Sequence, residues 1–175
     1  MNQAPLAKIS AATAAEICAG FNLPSDAKKL LQDGMEPGAF IDALLAKKQN
    51  VAAIDFMAHA LPPREGIWWG CLCMQHACGE NLTPVERAAA TAAVQWVFQP
   101  GDETRGAAKS PAEAAGPSTP AGALAMAASL TGPPALKVIA NAVKLASLKT
   151  EPVQIANLQK AFVELGLEIA AGQHL

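Results

Sequence analysis

Apolar residues recur at intervals of three and four along most of the chain, which predicts amphipathic α-helices. The C-terminal third shows the pattern most clearly, because two apolar stripes there alternate with polar faces. One stripe combines Leu136, Ile139, Ala140 and Val143, and the other combines Ile155, Leu158, Phe162, Leu165 and Ile169. β-Branched residues are sparse and scattered, so the pattern argues against strands.

Helix-start signals divide the chain into short segments. Thr83-Pro84-Val85-Glu86 combines a capping threonine, a proline at the first helical position and a glutamate that returns to the cap. It predicts a helix as far as Phe98. Pro62-Pro63 starts a helix that should end near Cys78, since Gly79 suits a C-terminal cap. Further starts are expected near Thr13, Ser25, Pro37, Asn50, Gly101 and Thr119, with an end or kink near Pro111.

These elements predict an all-α protein with a single helical domain over residues 1–175. We expect a compact bundle, or stacked helical hairpins, of about 8–10 short helices, with the Pro62–Cys78 helix at the centre. Residues 10–115 form the main helical core of this prediction, and residues 135–172 form two C-terminal amphipathic helices. Residues 116–134 are rich in proline and glycine and are expected to be a connection that contains short helical pieces.

Composition narrows the class of protein. Hydrophobic residues make up 51% of the chain and charged residues 16%, which is enough apolar surface for a folded core. The net charge of −2 and the lack of a basic stripe argue against nucleic-acid binding. The longest apolar stretches, such as residues 121–130, are half the length of a membrane span. Residues 1–10 show no signal-peptide pattern, so we expect a cytoplasmic protein with reduced cysteines.

Four potential metal ligands lie close together in the Pro62–Cys78 helix, namely Cys71, Cys73, His76 and Cys78. Thiolates and imidazoles are the ligands that zinc prefers. At about 100° per residue, however, Cys71 and Cys78 share one helix face, and Cys73 and His76 lie on another. We therefore expect no metal and no cofactor. A metal- or redox-responsive sensor built on these four residues is the alternative.

Trp68 and Trp69 are adjacent in the same helix and point about 100° apart. Both indoles can be buried only if the helix is covered on two sides; otherwise one of them is an exposed anchor for a partner. The candidate partner-binding residues are His59, Arg64, Glu65 and Trp69. Motifs for nucleophilic, metal-dependent or nucleotide-dependent catalysis are missing from the sequence, so we predict a non-enzymatic adaptor with a protein partner.

Residues 56–71 carry a segment that resembles the signature of an uncharacterised bacterial helical domain family, Ala-Leu-Pro-x-Arg-Glu-x-x-Trp-Trp-x-Cys. Residues 96–100 are similar to a second segment of that family, Trp-Val-x-x-Pro. The resemblance covers roughly residues 15–130 and departs at Gly66 and Gly70, where alanine is expected and where glycine should soften the helix. It implies a loose association with type VI secretion gene clusters, and hence an accessory or adaptor role.

Overall fold

A computed structural model describes residues 5–174 and contains, within that range, ten α-helices, one short 3₁₀ helix and no strand. The predicted all-α class is therefore confirmed. In chain order the helices are α1 (Ala14–Cys18), α2 (Ser25–Lys28), α3 (Pro37–Ala46), α4 (Asn50–Ala60), α5 (Pro63–Cys78), α6 (Pro84–Phe98), α7 (Asp102–Ala115), α8 (Pro120–Ser129), α9 (Pro133–Ser147) and α10 (Ile155–Ala170). The 3₁₀ turn, Pro152–Gln154, leads directly into α10.

Proline and capping residues set the starts of the longer helices. A proline occupies the first turn of α3, α5, α6, α8 and α9, where its missing N–H removes no intrahelical hydrogen bond. The predicted capping box of α6 is present, because Thr83 Oγ1 accepts from the Glu86 amide while the Glu86 carboxylate accepts from the Thr83 amide at 2.9 Å. Gly79 ends α5 with a positive φ of 52°, as predicted for a glycine cap.

One local prediction needs correction. Near Pro111, where an end or a kink was expected, helix α7 does not end but continues to Ala115, and Ala108 and Ala112 of this stretch are buried in the core. The helix starts expected near Asn50 and Thr119 are confirmed. Asn50 is the first residue of α4, and its side chain donates to the Ala156 carbonyl at 2.9 Å. Within residues 116–134, α8 begins directly after Thr119, and most of its side chains are buried.

Contacts near the helix ends show that α5 and α6 are antiparallel and that α4 and α10 are parallel. Arg64, in the first turn of α5, contacts Val97 in the last turn of α6. Asn50, at the start of α4, contacts Ala156 at the start of α10, which makes these two helices parallel. Helix α5 packs against α6, α8, α9 and α10, so the predicted central position of this helix is confirmed.

Glycines allow the neighbouring helices to approach α5 closely. A Cβ atom added at Gly70 would lie 2.4 Å from Leu124 Cδ2 of α8, and one at Gly66 would lie 3.2 Å from Ile139 Cδ1 of α9. These positions, which the sequence suggested only as points of weakness in the helix, are therefore packing positions. Their missing side chains leave room for α8 and α9 against the central helix.

Candidate functional site

The first turn of α5 contacts both the end of α6 and the N-terminal segment of the chain. Arg64 Nε donates to the Val97 carbonyl at 2.8 Å, so the two segments that carried the family resemblance are in direct contact. The Glu65 side chain is only 9% exposed, and its Oε1 lies 3.6 Å from Nζ of Lys8, which belongs to the N-terminal segment. Two of the four candidate partner-binding residues thus have contacts inside the protein, and both contacts stabilise the fold.

The two tryptophans occupy different environments. Trp69 is fully buried, and its Nε1 donates to the Phe162 carbonyl of α10 at 2.7 Å. The choice of Trp69 as a surface residue is therefore corrected, because α10 covers this side of α5. Trp68 is the partly exposed indole: its Nε1 donates to the His174 carbonyl at 3.2 Å, and its ring meets Phe98 edge to face at 5.4 Å.

A groove of about 350 Å³ runs between α5 and α6, beginning at Trp68. Its walls include Trp68 and Leu72 from α5 and Ala90 and Val94 from α6. Phe98 stands beside Trp68 and exposes 56% of its surface. We call this feature the α5–α6 groove. Arg87 and Glu80 lie at its other end, with the guanidinium Nη1 3.9 Å from the carboxylate.

His59 lies in a second groove, of about 430 Å³, which we call the His59 groove. His59 Nδ1 is 2.8 Å from the Asp55 carbonyl oxygen, and the imidazole stacks on Phe21 with a centroid distance of 4.4 Å and an interplanar angle of 23°. The remaining walls are Gly20, Asn22, Asp55, Pro133, Pro134 and Lys137. His59 is therefore a candidate partner-binding residue that lies in an open groove.

The sequence did not identify the other residues of the His59 groove. Asp55 and His59 are four apart and share one face of α4, a spacing that was available as a signal. Phe21 and Lys137 come from segments far away in the chain, and neither carried a local motif. Lys137 comes near His59 because α9 packs against α4, and Phe21 follows α1, which also packs against α4.

The cysteines of α5 are not arranged as a site. Burial raises the pKa of the Cys71 thiol to about 12 and that of Cys73 well above its usual range. Burial also raises the pKa of Cys78, although nearby Lys149 opposes the shift. His76 is exposed and has an edge-to-face ring contact with Phe162. Within residues 5–174, no three His, Cys, Asp or Glu side chains come close enough together to hold a metal ion.

The sensor alternative stays a prediction. The thiolate is the reactive form of a cysteine, and burial disfavours that form at Cys71 and Cys73. Cys71 and Cys73 instead fill space in the core beside α5's neighbours. No helix in the part of the chain that the structure describes is both long and apolar enough to cross a membrane.

A model of the family of unknown function DUF6931 matches residues 40–170. The chain belongs to this family. The prediction of an uncharacterised family is thereby confirmed, and the DUF6931 match extends to the end of α10, well past residue 130. It contains the whole of α4 to α10 and most of α3, whereas Phe21 lies outside it. Comparisons with curated proteins and with solved structures give no match.

Proposed function

We propose that the protein is a non-enzymatic interaction module that binds an apolar helix of a protein partner in the α5–α6 groove. The observation that carries this proposal is the pairing of Trp68 with Phe98 at the surface, beside a groove with apolar walls. Large aromatic side chains with exposed area are the residues that most often dominate binding energy at protein interfaces. The adaptor hypothesis is therefore kept, with Trp68 in the place of Trp69.

The shape of the groove fits a helix better than an extended peptide. Its walls are two antiparallel helices, and an amphipathic helix binds such a groove through residues at helical spacing. The α5 wall extends from Trp68 to Gln75, a rise of about 10 Å, which is enough for two turns of a partner helix. Both walls also offer small side chains, such as Ala90, that allow a partner to approach closely.

The shifted pKa values have structural causes. Burial raises the pKa of the four cysteine thiols, which disfavours the reactive thiolate form. The pKa of Glu86 is lowered because its carboxylate accepts hydrogen bonds from Thr83, which is a helix-capping role.

The test is retention of a partner from an extract of the native host on immobilised full-length protein. Trp68→Ala and Phe98→Ala should lose a protein that the wild type retains. Leu148→Ala is the matched control, because Leu148 is also a large apolar residue, 59% exposed, and lies at the end of α9. The captured protein should then bind the purified wild type alone. Equal retention by all variants would show that the α5–α6 groove is not the binding surface.

The motif resemblance adds a candidate for the partner. We propose, on that resemblance alone, an accessory role in the bacterial cytosol beside a type VI secretion apparatus. Purified components of such an apparatus can be tested one at a time against the wild type and the Phe98→Ala variant. A component that binds both proteins equally would argue against this version of the proposal.

A further inference from the structure

The walls of the His59 groove carry one carboxylate, Asp55, and one lysine, Lys137, and the carboxylate is paired with a second lysine, Lys144, outside the walls. Asp55 and His59 lie one turn apart on α4, and Lys137 and Lys144 lie two turns apart on the facing side of α9. Lys144 Nζ forms an ion pair with the Asp55 carboxylate. Lys137 is exposed and makes neither an ion pair nor a hydrogen bond within residues 5–174. The single carboxylate of the groove is therefore already neutralised, and one lysine is left over.

The imidazole of His59 is held in a fixed orientation. A carbonyl oxygen can only accept, so Nδ1 must carry the proton that is donated to the Asp55 carbonyl. Stacking on Phe21 fixes the plane of the ring. Nε2 has no partner within the described chain, so it remains available to a ligand. It accepts a hydrogen bond when the ring is neutral and donates one when the ring is protonated.

We propose that the His59 groove binds an acidic segment of a protein partner, with one carboxylate held by Lys137 Nζ and His59 Nε2. Charge complementarity identifies the occupant, since the charged groups that face His59 are Asp55 on its own helix and Lys137 and Lys144 on α9. Residues 20–22 supply no charge and offer the Phe21 ring as apolar contact. The groove volume is that of a small ligand or of one or two side chains.

Binding of a carboxylate at Nε2 requires the protonated imidazole, because only that form donates from both ring nitrogens. Binding should therefore take up a proton and weaken as the pH rises. This inference does not depend on the α5–α6 groove, with which the His59 groove shares no lining residue. Loss of one interaction leaves the other testable.

The experiment is calorimetric titration of the full-length protein with a short acetylated peptide of alternating glutamate and alanine. The same titration with glutamine in place of glutamate, and with inorganic phosphate, separates a protein carboxylate from a free anion. Lys137→Gln should weaken peptide binding by about fivefold, the upper end for loss of one exposed ion pair. Lys109→Gln is the matched control, because Lys109 is an exposed lysine on the distant helix α7.

Proton uptake is measured by repeating the titration at one pH in two buffers of different ionisation enthalpy. Uptake in the wild type and its loss in His59→Gln support the proposal. Equal affinities of Lys137→Gln and Lys109→Gln overturn it. Phosphate binding as tight as peptide binding also overturns it, since the groove would then be a site for free anions.

Discussion

Helix α5 presents an inner face, with Gly66, Trp69 and Gly70, and an outer face, with Trp68 and Leu72. On the inner face every large side chain is enclosed by α8, α9 and α10, and the Trp69 N–H has a buried partner at 2.7 Å. On the outer face the Trp68 indole is bonded at 3.2 Å to the carbonyl of a residue near the C-terminus, and the surface continues into a groove. Adjacent residues of a helix point about 100° apart, so the step from Trp68 to Trp69 leads from the proposed binding surface to the core.

Truncation of each tryptophan in turn tests whether the two faces of α5 differ in their contribution to stability. Trp69→Ala should reduce the free energy of unfolding by about 4 kcal/mol, because it opens a large cavity in the core and leaves the Phe162 carbonyl without its donor. Trp68→Ala should cost about 1 kcal/mol, since its side chain is partly exposed. Urea unfolding followed by circular dichroism measures both values.

A second variant, Trp69→Phe, keeps most of the core filled and remains measurable if Trp69→Ala does not fold. Trp69→Phe should cost about 1–2 kcal/mol, mainly for the lost hydrogen bond and the smaller ring. Similar losses for Trp68→Ala and Trp69→Ala would mean that the two faces of α5 do not differ as described.

The glycines of the inner face provide the second comparison. Gly70→Ala should destabilise by about 2 kcal/mol, because the new Cβ would lie 2.4 Å from Leu124 Cδ2 and Leu124 is fully buried. Gly66→Ala should be close to neutral, since its 3.2 Å contact with Ile139 is milder and alanine gains about 1 kcal/mol of helix propensity. Thermal unfolding of the two variants gives the difference.

A double-mutant cycle identifies the cause of the Gly70 effect. In a Leu124→Ala background the collision disappears, so Gly70→Ala should become neutral or stabilising. If Gly70→Ala is equally destabilising in both backgrounds, contact with Leu124 is not the reason for the glycine.

Helix boundaries and caps were the part of the fold that could be predicted from sequence, because they depend on neighbouring residues. The capping box at Thr83 and the proline starts are local signals, and the structure confirms them. The continuation of α7 through Pro111 was not predictable in this way. It depends on burial of Ala108 and Ala112 against other helices, a tertiary effect that outweighs the local preference.

The candidate site was less accessible to sequence reasoning. Trp68 and Trp69 both occupy plausible core positions, and only the position of α10 decides that Trp69 is the buried one. Arg64 and Glu65 are charged, which in the sequence suggests surface positions. Their partners, Val97 and Lys8, lie at distant positions in the chain, so the sequence does not show these contacts. His59 is partly buried in a groove, and its role in partner binding stays a prediction.

The cysteines of α5 extend the comparison to pH. Burial raises the pKa of Cys71 to about 12 in the folded protein, from 9.0 for an unperturbed thiol. Its contribution to stability is therefore complete below pH 9 and is lost as the pH rises from 9 towards 12, because the unfolded thiol ionises first. At pH 10 the loss should be about 1 kcal/mol from this residue.

Urea unfolding at pH 8 and pH 10 tests this value. The decrease in unfolding free energy between the two pH values should be smaller in Cys71→Ala than in the wild type by the same amount. Cys78→Ala is the control: Cys78 lies only partly buried near the end of α5, and its substitution should change the decrease less. An unchanged pH dependence in Cys71→Ala would contradict the burial of this thiol.

A small stability effect is expected at Phe98, and it is the most informative one for function. Phe98→Ala should change the unfolding free energy by less than about 1 kcal/mol, because more than half of the ring is exposed and its ring contact is to Trp68. Trp96 and Val97, which precede it on α6, are buried and provide the contrast. A loss above about 2 kcal/mol would make Phe98 a structural residue. A small loss together with abolished partner retention would instead show that the outer face of α5 and the end of α6 contribute to binding far more than to stability.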